Sequence, residues 1–291
     1  MVLTQTGWLD YELLDAGDEK KLERYGSFVI ERPCKEATFP PKQDSDRWQR
    51  DAFFDEGAQR WQFLRSVPEN WPLHWHDLTF VAECAPYKHV GIFPEQSAHW
   101  QWMRELLLVR KKVQPTASLN VLNLFAYTGC ASVVAAHAGA RVTHVDASRS
   151  AIGMAKQNQA ASGLSDRSIR WILDDVLTFV RREVRRGVQY DGIILDPPAF
   201  GHGPKGERWQ LQRSLPELLE ACSRILTAQP LFILLNVYAG GMHEMQVKTL
   251  LNSHFRKLNG RIYTGGLCLE TSATQQQIST GIWGRWEQVG L

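Results

Sequence analysis

The stretch VLNLFAYTGCASVVAAHAGARVTHVDASRSAIGMAKQN (121–158) constrains this chain more than any other, because it reads as strand, tight turn, helix, strand and helix in succession. Leu119, Val121, Leu122, Leu124 and Phe125 form an apolar run that stops at Tyr127-Thr128-Gly129. The small residues from Ala131 to Gly139 then suit a helix packed closely on a sheet, which makes a parallel β-α-β unit. Its second strand, Arg141 to Val145, ends in Asp146, and a carboxylate at that end of a parallel strand can accept hydrogen bonds from both hydroxyls of a ribose. The turn FAYTGC has one glycine where a pyrophosphate fingerprint has three, so a nicotinamide dinucleotide is disfavoured.

Ser148 can cap a helix running to about Ser162, and Ile169 to Leu173 reads as a third strand ending in Asp174-Asp175. Acids after two consecutive strands can hold a ribose with one and an exocyclic adenine amine with the next, which is an adenosine signal without a phosphate requirement. Gly192 to Leu195 is a buried strand that delivers Asp196-Pro197-Pro198-Ala199-Phe200. The two prolines fix the backbone and remove N–H donors, leaving carbonyls and the Asp196 carboxylate aimed at a crevice; Phe200 can stack on a planar base. A base inside a duplex would have to leave its stack to reach such a pocket. Downstream, Gly240 to Phe255 reads as a helix, and Arg261 to Glu270 with Gln276 to Trp286 as a terminal strand pair.

Residues 1–110 differ in texture and are expected to form a small β-rich domain, joined by the helix Ser97 to Val109 and the loop KKVQPTAS to a larger unit over 111–291. They contain seven of the eleven tryptophans and alternating stretches at Leu9–Leu13 and Leu78–Ala82. Charge divides at the same place: 13 Lys/Arg against 18 Asp/Glu before it, 20 against 13 after it. The basic part suits a polyanionic substrate, with Lys205 and Arg208 beside the DPPAF turn and Arg181, Arg182, Arg185 and Arg186 on one helix, where a solvated face competes as the explanation. Within YKHVGIFPEQSAHW (87–100), glycine and proline stiffen a turn that can hold Phe93, Glu95 and Gln96 against a neighbouring site. With 291 residues and 44% hydrophobic content the chain can bury a large core. No run is long and apolar enough for a membrane span and the N-terminus lacks a signal pattern, so a cytoplasmic protein with no membrane partner is expected. Cysteines 34, 84, 130, 222 and 268 show neither disulfide nor zinc spacing, and no metal is expected.

In order, NLFAYTG, VDAS, DDV and DPPAF resemble the class I S-adenosylmethionine-dependent methyltransferases, and more narrowly the bacterial 23S ribosomal RNA methyltransferases that act on cytosine C5 or guanine N7. The resemblance covers roughly residues 76–291. It implies an α/β, Rossmann-like, mostly parallel sheet with an antiparallel edge hairpin, S-adenosylmethionine as cofactor and RNA, ribosomal RNA above all, as partner. It further implies that Phe125, Ala126, Tyr127, Thr128 and Gly129 line the methionine side, that Asp146 with Ala147 and Ser148 holds the ribose, and that Asp174 or Asp175 takes the adenine. Lys88, Phe93 and Gln96 would close over the cofactor or the base. Relatives acting on cytosine C5 place a cysteine just after the fifth strand, where this chain has Asn236 and Tyr238; those two could instead hydrogen-bond a base edge. A methyltransferase-fold protein with a non-RNA acceptor, or a non-catalytic cofactor binder, is the alternative.

Overall fold

The computed structural model describes all residues except 86, 239, 240 and 291. The chain runs β1 (Val2–Thr4), β2 (Tyr11–Gly17), β3 (Lys20–Tyr25), β4 (Phe28–Pro33), β5 (Ala52–Asp55), β6 (Arg60–Phe63), β7 (Trp71–Trp75), β8 (Leu78–Ala82) and α1 (Ser97–Val113). There follow β9 (Asn120–Leu124), α2 (Cys130–His137), β10 (Arg141–Asp146), α3 (Arg149–Ala161), β11 (Ile169–Leu173), α4 (Val176–Arg186) and β12 (Gly192–Leu195). The last elements are β13 (Phe200–His202), β14 (Arg208–Gln210), α5 (Leu211–Ser223), β15 (Phe232–Val237), α6 (Glu244–Phe255), β16 (Gly260–Glu270) and β17 (Gln277–Gln288).

Eight strands form the main sheet in the order β1-β16-β17-β15-β12-β9-β10-β11. β9 to β12 and β15 pair in parallel, while β17 runs antiparallel to both β15 and β16. This is the expected α/β sheet, with one addition: the terminal hairpin is not the edge, because β1 adds in parallel to β16. A three-residue strand carries no readable periodicity, which hid it. The β-rich part holds a five-stranded sheet, β2 to β6, and the separate hairpin β7-β8. The strand expected from Leu9 begins at Tyr11, and the helix expected to close at Val109 runs on to Val113, with Lys111 and Lys112 favourably placed in its last turn. The helix expected from Gly240, which lies outside the described residues, starts at Glu244.

β12 and β15 are buried on both faces, which is why GIIL and FILLNV read as continuous apolar runs. Alternate side chains go to opposite cores: Ile193, Leu195, Ile233 and Leu235 pack with α4, α5 and α6, whereas Ile194, Phe232 and Leu234 pack with α1, α2 and the β-rich part. The second core is continuous from Tyr11 and Leu73 through Trp100 to Val133 and Leu234. β10 and β12 flank β9 on opposite sides, so the chain reverses direction across the sheet at β9, and a crevice opens beyond the carboxyl ends of the strands there.

Candidate functional site

A cleft lies at that reversal, between the loop after β9, the turns after β12 and β15, and the strap ahead of α1. Phe125, Ala126, Tyr127, Thr128 and Gly129 line it together, as do Phe93, Gln96, Asp196 and Asn236, so nine residues singled out in the sequence converge on one space.

The loop after β9 is held in an unusual shape. Phe125, Tyr127 and Gly129 all have positive φ, at 56°, 47° and 76°. For two aromatic residues this costs on the order of 1–3 kcal/mol each and persists only where surroundings over-determine it. Here they do: Tyr127 N–H donates to Asp146 Oδ2 at 2.8 Å, Thr128 Oγ1 donates to the Gly91 carbonyl at 2.6 Å, and Asn158 Nδ2 donates to the Thr128 carbonyl at 2.7 Å. Gly129 leaves room no other residue could, since a Cβ there would meet Ala155 Cβ at 2.7 Å. The loop is thus a preformed wall.

Asp146 is fixed by backbone from both sides, because Ser148 N–H donates to Oδ1 at 2.8 Å while Tyr127 N–H takes Oδ2. Burial raises its pKa and those N–H groups counteract the rise. A carboxylate so oriented keeps lone pairs for a diol. Ser148 also caps α3 through Ala151 N–H, as its sequence position predicts, and Ala147 is the link between the two. Asp174 and Asp175 stand apart from the cleft lining: Asp174 pairs with Arg182 at 2.8 Å and Asp175 caps α4 through Thr178 N–H. An adenine amine would share Asp174 with that guanidinium.

On the other side, a relay of side chains crosses three elements. Asn236 Nδ2, on β15, donates to Gln96 Oε1 at 2.9 Å, and Gln96 Nε2 donates to Asp196 Oδ2 at 2.9 Å. Enclosure pushes the Asp196 carboxyl up to about 7, Glu95 adds to the rise, and the Gln96 amide opposes it. The Tyr238 hydroxyl is enclosed beside Glu95 and Gln96, and Tyr238 itself is not among the residues that line the cleft. The Phe93 ring lies 5.8 Å from both the Tyr127 and Tyr238 rings and closes the strap over this space.

The DPPAF turn corrects one expectation. Pro197 is buried, but the Pro198 carbonyl does not face the crevice unpartnered: Trp209 Nε1 donates to it at 2.7 Å, and the indole packs edge-on against Phe125 at 4.7 Å. Phe200 is 72% exposed on the β13-β14 hairpin and does not line the cleft. Lys205 and Arg208 are exposed on that hairpin, and Lys88 is half-buried on the strap. Three of the four α4 arginines pair with acids, Arg181 with Glu217, Arg182 with Asp174 and Arg186 with Glu183, as a solvated face would.

Trp100, Asn123, Cys130 and Ile194 also line the cleft and Trp209 braces it, none of them assigned a site role from sequence. Asn123 had a signal: like Asn236, it is an amide inside an otherwise apolar buried strand, and it donates to Ser132 Oγ at 2.9 Å. Burial pushes the Cys130 thiol up to about 12, so the helix N-terminus does not make it a thiolate.

Residues 68–232 match the family model described as S-adenosylmethionine-dependent methyltransferase. Over 110 residues, 37% of this chain and 15% of the relative, the chain is 41% identical to ribosomal RNA large subunit methyltransferase K/L of Shewanella frigidimarina (strain NCIMB 400). The same enzyme of Shewanella sp. (strain ANA-3) is 38% identical over 124 residues, 41% of this chain and 17% of that protein. Matched segments are thus a small part of these longer relatives. Among solved structures, the S-adenosylmethionine-dependent methyltransferase of Agrobacterium tumefaciens superposes with TM-score 0.93 and 39% identity over 99% of this chain and 93% of that one. A methyltransferase structure from Streptococcus mutans, 19% identical over 97% of this chain and 76% of that one with TM-score 0.72, shares the fold.

Proposed function

Because this chain belongs to the S-adenosylmethionine-dependent methyltransferase family, we propose that its acceptor is a base of RNA, with ribosomal RNA in the cytoplasm the foremost candidate. The cleft suits the cofactor: a rigid loop, which Gly129 lets pack closely on α3, and an oriented carboxylate. We assign Phe125 to Gly129 to the methionine side, Asp146 with Ala147 and Ser148 to the ribose, Asp174 to the adenine, and Phe93 to closing the strap. Bound there, S-adenosylmethionine supplies a methyl group already activated on a sulfonium, so the protein's task is alignment and exclusion of water. Asp196, held by the Pro197-Pro198 turn, faces the acceptor with Asn236 and Tyr238 beside it. We assign residues 1–110 to recognition and covering of the site, and Lys88, Lys205, Arg208 and Phe200 to contacts with RNA around it. A nitrogen acceptor, such as guanine N7, needs no covalent helper, in keeping with a cleft whose one lining cysteine is a protonated thiol.

The observation that carries the RNA reading is the identity of 38–41% with two ribosomal RNA methyltransferases over 110 and 124 residues. It is tested by incubating the protein with labelled donor and total RNA from cells lacking the gene. Label should enter RNA. Asp146→Ala should abolish donor binding in calorimetry, whereas Asp196→Ala should bind the donor and lose turnover at least about a hundredfold. Donor binding with no transfer to RNA would refute RNA as acceptor; equal loss of binding in both variants would refute the division of roles.

A further inference from the structure

The Asn236-Gln96-Asp196 relay has a direction. Once ionised, as at pH 8, the Asp196 carboxylate only accepts, so Gln96 must turn its NH2 toward Asp196 and its oxygen toward Asn236. Asn236 must then give its NH2 to Gln96. What remains is Asn236 Oδ1, on a residue 1% exposed that lines the cleft, with no hydrogen-bond partner. A buried, unpaired carbonyl oxygen costs about 1–3 kcal/mol, and one on the wall of a cleft is placed to accept from whatever enters it.

We infer that the acceptor substrate presents an N–H to Asn236 Oδ1, and that Gln96 is the positioning residue that fixes this polarity by coupling the amide of Asn236 to the Asp196 carboxylate. The inference rests on the RNA reading and deepens it: the methylated unit is a nucleobase whose edge carries a ring N–H or an amine close to the acceptor atom. An N–H donor matched to a carbonyl oxygen excludes a carboxylate as the acceptor group. Gln96 belongs to the strap ahead of α1 and Asn236 to β15, 140 residues apart, so the edge is read only when strap and sheet are assembled.

The test applies whichever base is methylated. Nucleoside analysis of RNA methylated by the protein identifies that base, and two short RNAs of the site are compared at pH 8, one natural and one whose base has the N–H deleted or methylated. The wild-type protein should favour the natural RNA at least about a hundredfold in kcat/KM, as sites built around a hydrogen-bonded N–H do. In Gln96→Leu that ratio should fall at least about tenfold, because the Asn236 amide is then free to turn over; a purely structural defect would slow both RNAs alike. Equal use of the two RNAs by the wild-type protein overturns the inference without any variant, and so does an unchanged ratio in Gln96→Leu. Methylation of no RNA at all instead overturns the RNA reading, and this inference falls with it.

Discussion

Asp196 is a carboxylate that the fold charges only reluctantly. Its pKa, raised to about 7 by enclosure and by Glu95, exceeds that of an unfolded aspartate, so folded protein holds the proton more tightly than the unfolded chain. Stability therefore falls as pH rises from about 4 to about 7 and stays reduced above that. Asn at this position is never charged and can still accept from Gln96. Asp196→Asn should be more stable than the parent at pH 8, by about 2 kcal/mol, and lose that advantage near pH 4. Thermal melts at both pH values check this; a difference independent of pH would refute it. His144 is the contrasting case: burial pushes it down to about 3, and as a neutral ring beside Ser132 it braces the sheet and carries no charge.

The elements around the cleft are tied to one another more than to solvent. Trp209, on the hairpin after the DPPAF turn, holds the Pro198 carbonyl and leans on Phe125, so it connects the turn that places Asp196 to the wall of the cleft. Trp209→Phe keeps the ring contact and deletes one hydrogen bond. Turnover should fall about fivefold, with donor affinity changed less than twofold; equal effects on both would show that the hairpin does not act through the turn. Here the reach of sequence becomes visible. The β9-α2-β10-α3 succession, the Ser148 cap and the acid at 146 were legible because each follows from local periodicity or capping chemistry. The left-handed Phe125 and Tyr127 were not, because aromatic residues carry no preference for that region and tertiary hydrogen bonds force them into it. Trp209 was unreadable because its partner is a backbone oxygen, and the convergence of Gln96, Asn236 and Asp196 because they lie 100 and 140 residues apart.

At the scale of the molecule, the β-rich part and the main sheet share one continuous core and are further joined where Asn158, on α3, accepts from Val81 N–H. Separate unfolding would expose that core on both sides. Calorimetric unfolding should therefore give a single transition whose van't Hoff and calorimetric enthalpies agree, and two resolved transitions would refute the coupling. β1 extends the same logic in time. Its three residues lie beside Gly266 to Cys268, and Gln5 exchanges two hydrogen bonds with the backbone of Glu270, 265 positions away. Contacts so distant in sequence close late. During synthesis the opening segment must wait, unpaired, until β16 has left the ribosome, and its arrival there completes the edge of the sheet.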